Sequence, residues 1–324
     1  MEVLEDDGKP THHPFFYDEK GDIVVQAEQT LFKLERSSLA IGSDFFAGMF
    51  STCCEGEQVS ELEGTSDENP YVLRDCPASH FAHLLAWKNP GARPSDWDTD
   101  TFDYHAAVYA LGRRFAIDNA EKDAKAALDR IVHNMIDESK KNKFLTARIY
   151  ALGVEFDVRE WRVAALRRLL RRAARWYTVE EIQFLGLPTF LGVMRAREGQ
   201  VAHRLRFART PMPLCHTISC RDNGACQAAF AGVWWRHVAP DVTHPSAAES
   251  WSNMTMADIV NVVKRLDEDG VFTRAGVSQG CWKATYRYYG AQHQSFRAEE
   301  VIFDALLDHL KAVPHLMTKW YISP

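Results

Sequence analysis

Residues 22–50 read DIVVQAEQTLFKLERSSLAIGSDFFAGMF, and the fold of the first half of the chain turns on them. Two apolar runs, Ile23-Val24-Val25-Gln26-Ala27 and Thr30-Leu31-Phe32-Lys33-Leu34, flank the polar pair Glu28-Gln29. β-Branched and aromatic residues on either side of a two-residue polar break read as a hairpin, although Glu-Gln lacks the Asn-Gly or Asp-Gly of the best hairpin turns. Leu39, Phe45, Phe46, Met49 and Phe50 then recur at helical spacing, so the hairpin feeds directly into helices.

On the N-terminal side, residues 1–13 are acidic, carry His12-His13 and show no apolar periodicity, which reads as a flexible tail. On the C-terminal side, the stretch between Phe50 and Pro70 holds Cys53-Cys54, Glu55, Glu57, Glu61, Glu63, Asp67 and Glu68, the composition of a solvated insertion. Tyr71-Val72-Leu73 reads as a strand, and a helix carrying Phe81, Leu84, Leu85 and Trp87 follows Asp75. Asp98-Thr99-Asp100 offers N-caps for a helix through Phe102, Ala106, Tyr109 and Leu111. Ala120, Ala124, Ala127, Leu128, Ile131 and Met135 give a further helix from about Ile117 to Ile136.

This order of elements over residues 14–136 resembles a BTB/POZ domain of the fungal type. The resemblance implies an α+β N-terminal domain, a small sheet wrapped by helices, followed by a mainly α-helical C-terminal region. Residues 144–200 are similar to the BACK-like extension of such proteins, on Tyr150-Ala151-Leu152-Gly153-Val154-Glu155-Phe156-Asp157-Val158, Trp161 and Leu185-Gly186-Leu187-Pro188. Thr178 followed by Glu181 reads there as a capping box. Where the family often closes its third helix with Tyr-Thr-Gly, this chain has Lys88-Asn89-Pro90. The implied role is a protein–protein interaction scaffold or adaptor, through a homodimer or by docking protein partners, including service as a substrate adaptor of a cullin-type ubiquitin ligase. Partner contact is expected from a subset of Leu39, Phe45, Phe46, Met49 and Phe50, the others being core.

A chain of 324 residues with 46% hydrophobic residues can bury a substantial core in about two domains. No apolar run approaches the roughly 18 to 20 residues of a membrane span, and seven cysteines, an odd number without an apolar leader, point to a reducing, intracellular setting in cytoplasm or nucleus. Charge is uneven: residues 1–103 carry 7 basic against 21 acidic side chains, and residues 104–324 carry 31 against 23. A solvated surface accounts for that asymmetry.

From Arg159 to Tyr177 the spacing predicts one helix with Val163, Leu166, Leu169, Leu170, Ala173 and Tyr177 on one face and Arg167, Arg168, Arg171, Arg172 and Arg175 opposite. Such a stripe is the one feature pointing to nucleic acid, and would make the chain a transcription-associated regulator; with no recognition motif around it, the solvated face is the preferred reading. Residues 201–324 gather cysteines and aromatics. Cys215, Cys220 and Cys226 lie in a loop-like segment, and a zinc site would need a fourth ligand from Cys281, His216, His237 or His244. No other cofactor is expected. Trp234-Trp235, Trp251, Trp282, Tyr286, Tyr288 and Tyr289 read mainly as core. Gly276-Val277-Ser278-Gln279-Gly280 matches the GxSxG of a nucleophile elbow, with Asp304 and His309 following in triad order. The preceding run, Val271-Phe272-Thr273, is too short for the buried strand an elbow needs, so no catalytic residue is assigned. A closing helix over Ala298–Leu310 should dock through Val301, Ile302, Ala305, Leu306 and Leu310.

Overall fold

The structure is a computed structural model that describes residues 9–52, 63–93, 97–134, 143–240, 256–289 and 294–312. The chain divides into two compact units, Met1–Glu138 and Ser139–Pro324.

In the first unit the hairpin is present as β2 (Ile23–Ala27) and β3 (Thr30–Leu34), paired antiparallel with Ala27 opposite Thr30. Strand β1 (Thr11–Tyr17) lies parallel to β3, and β4 (Tyr71–Leu73) parallel to β2, so the sheet order is β1-β3-β2-β4. Strand β1 therefore begins inside the stretch expected to be a tail. Its anchor is Asp67, which accepts from His12 Nε2 at 2.7 Å and from the Tyr17 hydroxyl at 2.8 Å. Residues 63–70 are thus tied to the sheet, while residues 53–62 of the acidic insertion lie outside the described residues.

The turn without glycine has a physical reason. Glu28 takes φ 52°, a left-handed conformation that is costly for a residue with a side chain. Its carboxylate accepts the backbone N–H of Ala78 at 3.0 Å, satisfying a free amide at the start of α3 (Ala78–Lys88).

Helices α1 (Arg36–Ala40) and α2 (Asp44–Thr52) follow β3. The Ser43 hydroxyl between them accepts from the Phe46 amide and donates to the Phe115 carbonyl at 2.6 Å. It thereby ties them to the corner between α4 (Phe102–Arg114) and α5 (Asp118–Asn134). The cap of α4 is Thr101, which accepts from the Tyr104 amide, and not a residue of Asp98-Thr99-Asp100. Lys88 donates to the carbonyls of Leu39 and Ile41 and so closes the C-terminus of α1. Val25, Phe32, Leu39, Phe46, Phe81, Leu84 and Phe115 form the core.

The second unit is helical. It comprises α6 (Lys143–Glu155), α7 (Arg159–Arg171), α8 (Val179–Leu185), α9 (Leu187–Arg209) and α10 (Asn223–Val233), the last continued by a π-helical turn at Trp234–Val238. Helices α11 (Met256–Glu268), α12 (Val271–Arg274), α13 (Gln279–Tyr289) and α14 (Gln294–Ala312) complete it.

Three expectations change here. The boundary between residues 200 and 201 falls inside α9, so the extension and the C-terminal region are one unit. The predicted long helix to Tyr177 stops at Arg171, because Arg172 turns to extended backbone at the C-cap. Helix α14 docks through Glu299, Phe303, Leu306 and Leu310, whereas Val301 is exposed.

Gly192 and Gly199 of α9 face this helix, with the Leu306 side chain 3.3 Å from where a Cβ on Gly192 would lie. Glu299 accepts from Arg204 of α9 and from the amide of Met256 at the start of α11, 3.1 Å away. One buried carboxylate thus joins three helices. No described helix is long and apolar enough to cross a membrane.

Candidate functional site

The residues expected to contact partners separate by burial. Leu39 (1% exposed) and Phe46 (0%) are core, so they are unavailable to a partner. Phe45 is 39% exposed, and Met49 and Phe50 are half-buried. The Phe45 ring lies 5.2 Å from both Phe46 and Phe115, edge-on to the first, which fixes its orientation from below. Ile41, which periodicity did not single out, is 74% exposed at the C-terminus of α1. Its carbonyl is held by Lys88 at 2.7 Å while its side chain stands in solvent. The α1–α2 pair therefore exposes two large apolar side chains, Ile41 and Phe45.

The cysteine cluster of the second unit assembles differently from the sequence set. The Sγ atoms of Cys220, Cys226 and Cys281 and a ring nitrogen of His216 all lie within 4.8 Å of one another. Cys215 is not in this group; its amide donates to the Thr285 hydroxyl at 2.7 Å, which turns the chain so that the next residue, His216, enters. His237 lies in the π-helical turn outside the group, and His244 lies outside the described residues.

Local structure explains each placement. Residues 211–222, between α9 and α10, form no helix or strand, and they bury Met212 and Leu214 in the aromatic core of Phe230, Trp234, Phe272 and Trp282. Cys220 closes a turn, its amide donating to the Thr217 carbonyl at 2.9 Å. Asp222 caps α10 by accepting from the Ala225 amide, and Cys226 sits in the first turn of that helix. Cys281 sits in the first turn of α13. Two helix N-termini, with their partial positive charge, thus face the sulfurs.

Two of the sulfurs also accept backbone amides: Thr217 N–H donates to Cys281 Sγ at 3.4 Å, and Ser278 N–H to Cys226 Sγ at 3.3 Å. Cys220 Sγ lies 3.6 Å from His216 Nδ1. Burial opposes ionisation of Cys281, but the Thr217 amide, His216, Ser278 and the Thr217 hydroxyl together bring its thiol down to about 6. Burial and the Cys281 and Cys226 sulfurs push Cys220 up to about 11.

Several of the remaining candidates are absorbed into structure, whereas Arg171 and Arg175 of the stripe are exposed and Trp251 lies outside the described residues. In the arginine stripe, Arg167 makes a bidentate pair with Glu300 at 3.0 and 2.7 Å and covers the Phe303 ring. Arg172 makes a bidentate pair with Glu181 at 2.5 and 2.7 Å and lies over Tyr177. The expected capping box is half made: Thr178 accepts from the Glu181 amide, but the Glu181 side chain turns to Arg172. Ser278 of the GxSxG motif follows a helical turn in place of a strand, and its amide serves Cys226. Trp234 and Trp282 are core; Trp235, Tyr286 and Tyr288 are exposed.

No protein-family model matches the chain, and no curated protein sequence matches it either.

Proposed function

We propose that this protein is an interaction scaffold whose first unit is a BTB/POZ-like platform that self-associates or docks protein partners through the α1–α2 surface. The observation that carries the reading is the exposed pair Ile41 and Phe45 on that surface, set in the order hairpin, two helices, strand and three helices. An exposed isoleucine and an exposed phenylalanine, with Leu39 and Phe46 buried in the same two helices, have the composition of an interface core: large apolar side chains on an ordered backbone lose little entropy on docking. A role as adaptor to a cullin-type ligase is the finer version of the same reading.

Light scattering on the full chain tests it. Wild type is expected at twice the mass of the 36.9 kDa chain, and Ile41→Glu, which alters an exposed side chain and leaves the carbonyl bonds to Lys88 in place, is expected at the single mass. Equal masses for the two proteins at every concentration would remove Ile41 from any self-association surface. Co-purification of a cullin with wild type and its loss with Ile41→Glu would support the adaptor role.

A further inference from the structure

We propose that Cys220, Cys226, Cys281 and His216 bind one zinc ion in a closed, structural Cys3His site, and that the GxSxG segment exists to build it. This stands apart from the interaction reading, since it concerns the other unit. A tetrahedral zinc with Zn–S bonds of about 2.3 Å separates its ligand atoms by about 3.8 Å. The four ligand atoms here already sit within 4.8 Å of one another, and Cys220 Sγ and His216 Nδ1 are 3.6 Å apart. Three sulfurs at such separations are mutually repulsive as thiolates, and a divalent cation at their centre removes that cost.

The surroundings fit thiolates. Amides of Thr217 and Ser278 point at Cys281 and Cys226, the outer-shell donors that orient and stabilise metal-bound sulfur. The described cysteines of the group are free thiols. Thiolate and imidazole without any carboxylate select zinc over magnesium or calcium. With four protein ligands no position remains open for water, so the site is structural and not catalytic.

The motif at residues 276–280 then finds its use. Gly276, at φ 98°, permits the turn that brings the Ser278 amide to Cys226. Gly280 lets the 216–220 loop lie on the first turn of α13, since a Cβ there would meet Thr217 Oγ1 at 3.2 Å and Ser219 Oγ at 3.6 Å. The metal would close a loop joining residues 216–220 to the starts of α10 and α13, pinning a segment that has no helix or strand of its own and that covers the aromatic core.

The test is metal analysis of the full chain purified without chelator, with variants and cobalt substitution. About one zinc per chain is expected in wild type and in Cys215→Ser, and loss of zinc in Cys220→Ser and His216→Ala. Protein produced with cobalt should show the intense visible bands of tetrahedral coordination and a sulfur-to-cobalt charge-transfer band. Because a ligand variant can fail to fold, wild type is also titrated with p-mercuribenzoate in the presence of a chromophoric chelator. Release of one zinc as the thiols react supports the site. Soluble wild type that releases no zinc and shows no tetrahedral cobalt spectrum overturns it, as does a Cys220→Ser protein that keeps full zinc.

Discussion

Arg172 shows how a single side chain can be misread from its neighbours. In sequence it is one of five arginines on an expected helical face; in the structure its side chain is 11% exposed against a Glu181 that is 1% exposed. A buried charge left without its partner is costly, so Arg172→Met should lower stability by about 3–5 kcal/mol in urea unfolding. The double variant Arg172→Met with Glu181→Leu should recover most of that loss, because apolar pairs often replace buried ion pairs at little cost. Three histidines of the first unit carry a pH prediction. His13, His83 and His105 are all held below the usual imidazole value by burial, opposed in part by Asp103 at His83 and Asp100 at His105. His13 Nδ1 accepts two backbone amides, of Phe15 and Phe16, which a proton there would break. The unfolded chain therefore takes up protons first as pH falls. The stability these residues contribute is complete above about pH 6.5 and is lost as pH drops through their lower folded values. Amide hydrogen exchange in β1 and α3, corrected for intrinsic rates, should be faster at pH 5.5 than at pH 7.5, and equal protection would contradict the sign.

Among elements, the α4–α5 pair and α10 give opposite answers to the same substitution. A Cβ on Gly112 would lie 2.9 Å from the backbone nitrogen of Glu121, so Gly112→Ala must push α5 away and should cost about 1–3 kcal/mol. A Cβ on Gly232 in α10 meets nothing within 4 Å, and Gly232→Ala should stabilise by about 0.5–1 kcal/mol through helix propensity. Thermal melts of the two variants check both signs. The hairpin, its helices and the Tyr71 strand were legible because period-two and helical patterns are local properties of the chain. The end of α7 was not, since Ala173, Arg175 and Tyr177 continue the helical spacing past Arg171, while Arg172 leaves the helix and pairs with Glu181, nine residues on. The β2–β3 turn was likewise unreadable in kind: Glu28 tolerates its left-handed backbone while capping α3, a helix fifty residues further on.

At the scale of the whole molecule, what sequence hid is what depends on long-range contact. Helix α9 and helix α14 meet where Gly192 faces Leu306 and Leu310 and Gly199 faces Ile302, a pairing no local pattern announces, so the second unit read as two regions. The members of the Cys-His group were legible, but their selection was not. Its three thiols and His216 all stood among the candidates, and Cys215 stays out because the Thr285 hydroxyl holds its amide, a contact between distant residues. Of the residues proposed for partner contact, burial removes Leu39 and Phe46, and exposure adds Ile41, which no local pattern singled out. The claim that this surface makes the chain an interaction platform is tested most directly by native mass spectrometry of the full chain over a concentration series, beside Ile41→Glu. A wild-type species at twice the chain mass that Ile41→Glu abolishes is the predicted result. A single-chain mass for wild type throughout, with no partner retained from the cell, would contradict it.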